Sequence, residues 1–95
     1  MAVSNVIDYV QMSTLGNAAD FGDLTVARYY CIVAGGYVRF IVGGGTTGSL
    51  FNTIDYGQFS TLGNAADFGD FTMNKRSAGA VTNGIRSLFA GGDDA

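Results

Sequence analysis

The sequence predicts an all-β chain built from four-stranded units, and three observations carry that expectation. The first is composition. Of 95 residues 15 are Gly and none is Pro, every acidic residue is Asp, and Lys and Gln are scarce beside Thr, Val, Tyr and Phe. Such a mixture favours strands and turns over helices. The second is an internal repeat: shifted by 47 positions, residues 13–23 fall on residues 60–70 without a difference. At the same shift Asn5, Ile7, Asp8, Tyr9 and Gln11 meet identical residues, Arg39 meets Arg86, and Gly44 and Gly45 meet Gly91 and Gly92. A period of about 40 to 50 residues marks a propeller blade or a helical solenoid unit, and the composition argues against the helices. The third is that one period holds four strand signals, the content of one blade.

The elements follow in order. Residues 5–12 alternate apolar and polar like a half-buried strand, and residues 20–26 form a shorter strand after a polar loop. Residues 29–34 are a β-rich run stopped by Gly35 and Gly36. Residues 38–42 follow at once and are stopped by three further glycines, so the two form a hairpin. A polar turn over residues 46–49 leads to an alternating strand at residues 52–59 and a short one at residues 67–73. Residues 76–81 and 85–90 repeat the hairpin. The chain is thus one domain of two repeats, residues 5–51 and 52–95, and the absence of Pro leaves every N–H available to a ladder.

Charge and ligand inventory exclude several functions. With five Lys and Arg against eight Asp and a net charge of −3, no basic face exists to neutralise a phosphate backbone, so nucleic acid is not an expected partner. No window approaches the roughly 18 apolar residues that span a bilayer, and the first residues lack a leader pattern, so a soluble chain without membrane insertion is expected. One Cys and no His allow neither an internal disulfide nor a usual zinc set, and no cofactor, metal or catalytic group is expected. A chain this short buries only roughly 60% of its unfolded surface, which leaves self-association as the remaining source of stability.

Individual motifs read as structure. Asp20-Phe21-Gly22 and Asp67-Phe68-Gly69 spell a kinase metal triplet without the rest of a kinase, and the Gly43 to Gly48 run lacks the Lys and helix of a phosphate loop. Calcium would need about six to eight oxygens, more than the doubled Asp motif supplies. Asp20 and Asp67 are instead expected to cap turns, with Phe21, Phe68 and Tyr56 as buried anchors between blades. Tyr9 reads as a core residue and Cys31 as an inert buried thiol, while Tyr37, at a hairpin tip, is the residue placed to meet a ligand. Residues 93–95 read as a frayed tail.

A strand ending in a diglycine, a turn and a strand carrying a Tyr resembles the kelch-type blade, whose strands are named A to D from the axis outward. The run Asn-x-Ile-Asp-Tyr, then Thr-x-Gly-Asn-Ala-x-Asp-Phe-Gly-Asp-x-Thr, a basic residue and a strand ending in Gly-Gly resembles the repeat of tail and virion-surface proteins of tailed phages of cyanobacteria. The likeness covers nearly the whole chain. It departs from ordinary kelch in having no Trp, with Phe21 and Phe68 in its place, and in a longer interval from Tyr56 to Phe68. It implies a kelch-like β-propeller and a non-enzymatic virion structural protein: a knob or decoration on a phage capsid or tail, soluble in the host cytoplasm before assembly and able to contact the host surface. A lectin-like propeller binding host surface glycans is the alternative.

In that frame the chain opens on strands C and D, passes through one full blade and closes on strands A and B. Joining the last two strands of one copy to the first two of the next completes a blade between subunits, with Ile7, Tyr9, Ile85 and Leu88 near the new interface. Two blade equivalents per chain and about four to eight blades per ring lead to an expected homotrimer of six blades, ahead of a tetramer of eight or a dimer of four.

Overall fold

The computed structural model describes residues 3–92, so the tail at residues 93–95 lies outside the described residues. The chain is all-β. Its strands are β1 (Ser4–Tyr9), β2 (Ala19–Arg28), β3 (Ile32–Gly35), β4 (Arg39–Gly43), β5 (Thr53–Gln58), β6 (Ala66–Asp70), β7 (Gly79–Thr82) and β8 (Ser87–Ala90). They divide into a β1-β2 hairpin, a four-stranded sheet in the order β3-β4-β5-β6, and a β7-β8 hairpin, all antiparallel.

The repeat is written into the pairing as well as the sequence. In β1-β2, Ile7 faces Gly22, Asp8 faces Asp20 and Tyr9 faces Ala19. In β5-β6, Ile54 faces Gly69, Asp55 faces Asp67 and Tyr56 faces Ala66. Both hairpins slip register at the same step, between the Ile and the Asp. The β3-β4 and β7-β8 hairpins match in the same way, with Val33 on Val42 and Ala80 on Phe89.

Two strands begin later than their sequences suggest. The run expected from residue 29 becomes a strand only at Ile32, and that expected from residue 76 only at Gly79. The cause is the same in both repeats: Tyr30 (φ 59°) and Ser77 (φ 57°) turn into the left-handed region, which costs an L-residue roughly 1–2 kcal/mol and breaks the extended run. The diglycine after each second hairpin strand answers that turn. A Cβ at Gly45 would lie 2.8 Å from the carbonyl oxygen of Tyr29, and one at Gly92 would lie 2.7 Å from that of Arg76, so the close approach requires glycine at both.

The core lies on both faces of the four-stranded sheet, with Phe21 and Val42 on the side where the β1-β2 hairpin docks and Ala34 and Ile54 on the side toward the β7-β8 hairpin. Phe21, Ile32, Ala34, Val42, Ile54 and Ala65 are its buried apolar residues, and none of them belongs to β7 or β8. The β7-β8 hairpin touches the rest mainly through β7 against β3 and the Phe71–Phe89 ring pair, whose centroids are 4.9 Å apart. Its outer face stays open, with Ile85 94% exposed and Leu88 and Val81 more than half exposed. Asp20 and Asp67 sit within β2 and β6 rather than at turns, because the polar loop before each strand absorbs the reversal. Cys31 is half-buried in the bend between β2 and β3 instead of lying in a strand interior.

Candidate functional site

The most elaborate constellation in the molecule is the joint between the β1-β2 hairpin and the four-stranded sheet. On one side stands the strand segment Phe21, Gly22 and Asp23; on the other, the loop that ends in Gly63, Asn64 and Ala65. Gly63 N–H donates to the Phe21 carbonyl (2.9 Å), Ala65 N–H donates to the Asp23 carbonyl (2.8 Å), and the Asp23 N–H donates to Asn64 Oδ1 (3.0 Å). The backbones approach so closely that a Cβ on Gly22 would lie 1.9 Å from the Gly63 carbonyl oxygen. The strand therefore forms a socket and the loop a plug, and both halves occur in each copy of the repeated eleven residues.

Beneath the plug lies a buried ion pair. Arg28, at the end of β2, crosses to Asp55 on β5 with 2.5 Å between Nη2 and Oδ2, and both side chains are fully enclosed. The carboxylate also accepts the Thr25 N–H (2.9 Å) and the Thr25 hydroxyl (2.8 Å), while Arg28 Nη1 donates to the carbonyls of Gly44 and Thr53. Arg28 Nε is buried without a hydrogen-bond partner. Isolated charges could not be buried here, and the fork of Arg with its surrounding acceptors makes the pair tolerable. Sequence reading missed this network. Its signal was the shared placement of an acid in Asp8 and Asp55 and a base in Arg28 and Lys75, one period apart.

Aromatic rings continue the joint. Tyr9, Phe21, Phe40 and Phe59 form a chain with centroid spacings of 6.0, 5.7 and 5.5 Å. In the second repeat Tyr56 and Phe68 reproduce the Tyr9–Phe21 contact at 6.0 Å, and Arg39 lies over the Tyr56 ring at 4.9 Å. The chain stops there. Phe68 is 54% exposed, not buried like Phe21, because the position equivalent to Phe40 is Ser87 and the β7-β8 hairpin stands away from β6. The resulting cleft, about 930 Å³, is lined by Ile41, Ile54, Phe68, Phe71, Leu88 and Phe89 among others.

The residues expected at a shared blade lie at two separate places. Ile7 and Tyr9 are half-buried on β1, whereas Leu88 is exposed on β8 and Ile85 on the turn before it. Tyr56 is half-buried. Tyr37 stands on the β3-β4 turn, 93% exposed, with its ring edge toward Gly84. Among the described residues no three His, Cys, Asp or Glu side chains gather in a group able to hold a metal ion. What the site can do chemically is bury apolar sheet surface and pair charges across a joint. The sequence matches no protein-family model and no curated protein.

The two phenylalanines should respond differently to truncation. Phe21→Ala removes a buried ring packed against Tyr9 and Phe40 and is expected to cost about 3 kcal/mol in urea unfolding, independent of protein concentration. Phe68→Ala should cost far less under dilute conditions, where its ring is 54% exposed beside Tyr56. Equal losses in dilute solution would contradict this assignment.

Proposed function

We propose that the chain is a non-enzymatic virion structural protein, a knob or decoration of a phage capsid or tail, that works as a closed disc. Three copies form a six-bladed propeller, and each shared blade consists of β7-β8 from one copy and β1-β2 from the next. The observation that carries the reading is the division of the strands into two, four and two, with the outer hairpins matching the two halves of the central sheet in register. Among the described residues β1 and β8 each leave one ladder edge unpaired, beside exposed Val6, Val10, Ile85 and Leu88. Open edges with apolar neighbours are an aggregation hazard unless another chain covers them. The virion role is supported by the likeness of the repeat to cyanophage surface proteins.

A second reading, a multivalent glycan-binding disc, is favoured by Tyr37, whose exposed ring offers a face for a pyranose and would recur around a ring, so that weak sites gain avidity. Immunogold labelling of the parent particle tests the first reading: label on capsid or tail supports it, and unlabelled particles would remove it. Binding on a glycan array that disappears in Tyr37→Ala would move the assignment to the second.

A further inference from the structure

We propose that the repeated eleven residues are a two-part joint, and that the parts left free within one chain fasten it to a second copy of the same chain. Within the chain the socket at Phe21–Asp23 is filled by the plug at Gly63–Ala65. The plug at Gly16–Ala18 and the socket at Phe68–Asp70 have the same sequences and stay open. Gly69 shows the vacancy most directly: its φ of 159° equals that of Gly22, yet where Gly22 faces the Gly63 carbonyl, no atom lies within 4 Å of a Cβ placed on Gly69. One surface is therefore already shaped for the other, and identity of sequence makes them complementary. The two lie on different parts of the chain, so the contact is head-to-tail.

The repeat then fixes the remaining contacts. Gly16 N–H donates to the Phe68 carbonyl, Ala18 N–H to the Asp70 carbonyl, and Asp70 N–H to Asn17 Oδ1 across the boundary. The partner's β1 pairs with β8 in the register that β5 keeps with β4, where Ile41 faces Tyr56, so Leu88 faces the partner's Tyr9. The partner's Asp8 enters the place of Asp55, meeting Thr72 and Lys75 as Asp55 meets Thr25 and Arg28. Within one chain Asp8 is exposed, faces Asp20 across the strand pair, and makes no ion pair among the described residues. Lys75 meanwhile sits over the Phe71 ring at the cleft, 5.2 Å from its centroid. Because Lys has no fork, the boundary between copies is the weaker of the two joints.

This inference rests on the assembled-disc reading only for the existence of an assembly, and its test separates the two. In a Cys31→Ala background, Tyr9→Cys with Leu88→Cys should give disulfides between copies under mild oxidation, since directly paired strand residues bring Cβ atoms within bonding range. Val10→Cys with Leu88→Cys, one residue off and on the opposite face, should not. Lys75→Arg should tighten assembly about tenfold, a gain that a misfolded variant could not mimic. A defined oligomer without the Tyr9–Leu88 cross-link would overturn the joint while leaving the disc. Cross-linked chains that grow without closing would uphold the joint and overturn the disc. Cross-linking by the Val10 pair alone would overturn the register.

Discussion

Replacing Asp55 by Ala is expected to leave the chain close to unfolding at room temperature. The substitution strands the Arg28 guanidinium in a fully enclosed site, and removing one partner of a buried ion pair costs roughly 3–5 kcal/mol. Thr25 loses the acceptor of both its N–H and its hydroxyl, so the loss falls toward the upper end of that range. A domain holds only about 5–15 kcal/mol in total, so thermal unfolding should shift down by roughly 15 °C or more at every protein concentration. The repeat mate supplies the control. Asp8→Ala should leave the melting temperature nearly unchanged in dilute solution, with the loss growing as concentration rises, because in the proposed disc its partners belong to another copy. Concentration-independent losses of equal size at both positions would show that Asp8 acts within its own chain.

Deleting residues 1–12 is expected to abolish both the fold and the assembly. The deletion removes β1, and with it the Tyr9 ring from Phe21 and every ladder bond that holds β2 in place. The socket at Phe21–Asp23 and the Thr25 and Arg28 donors to Asp55 all stand on β2, so the core between hairpin and sheet loses its support. In the proposed disc the same segment also supplies the strand that pairs with β8 of another copy. Circular dichroism should show loss of the cooperative thermal transition, and size exclusion should show no defined oligomer. A truncated chain that melts cooperatively would place the stability of the molecule elsewhere.

These expectations also mark what was legible in the sequence. Strand positions were readable because glycine runs and alternating residues punctuate them, and the match at 47 residues announced that each hairpin would recur. Strand starts near residues 29 and 76 were not readable, since Tyr30 and Ser77 enter the left-handed region without a Gly or Asn to signal it. The identical segments suggested one packing role served twice, with Phe21 and Phe68 equally buried. The structure instead brings residues 21–23 of the first segment against residues 63–65 of the second, and leaves Phe68 more than half exposed. Nothing local in Arg28 or Asp55 tells of their pairing, because it depends on how one hairpin docks on the next sheet. Its only trace was that an acid and a base recur at fixed places in both repeats.

In the proposed assembly the open edges and the open socket of one copy are closed by another, in a ring. Light scattering coupled to size exclusion measures this most directly, on the untagged chain across a range of micromolar concentrations. A single species of three times the chain mass, unchanged as concentration rises, is the expected result. A folded species of single-chain mass that persists throughout that range would contradict it.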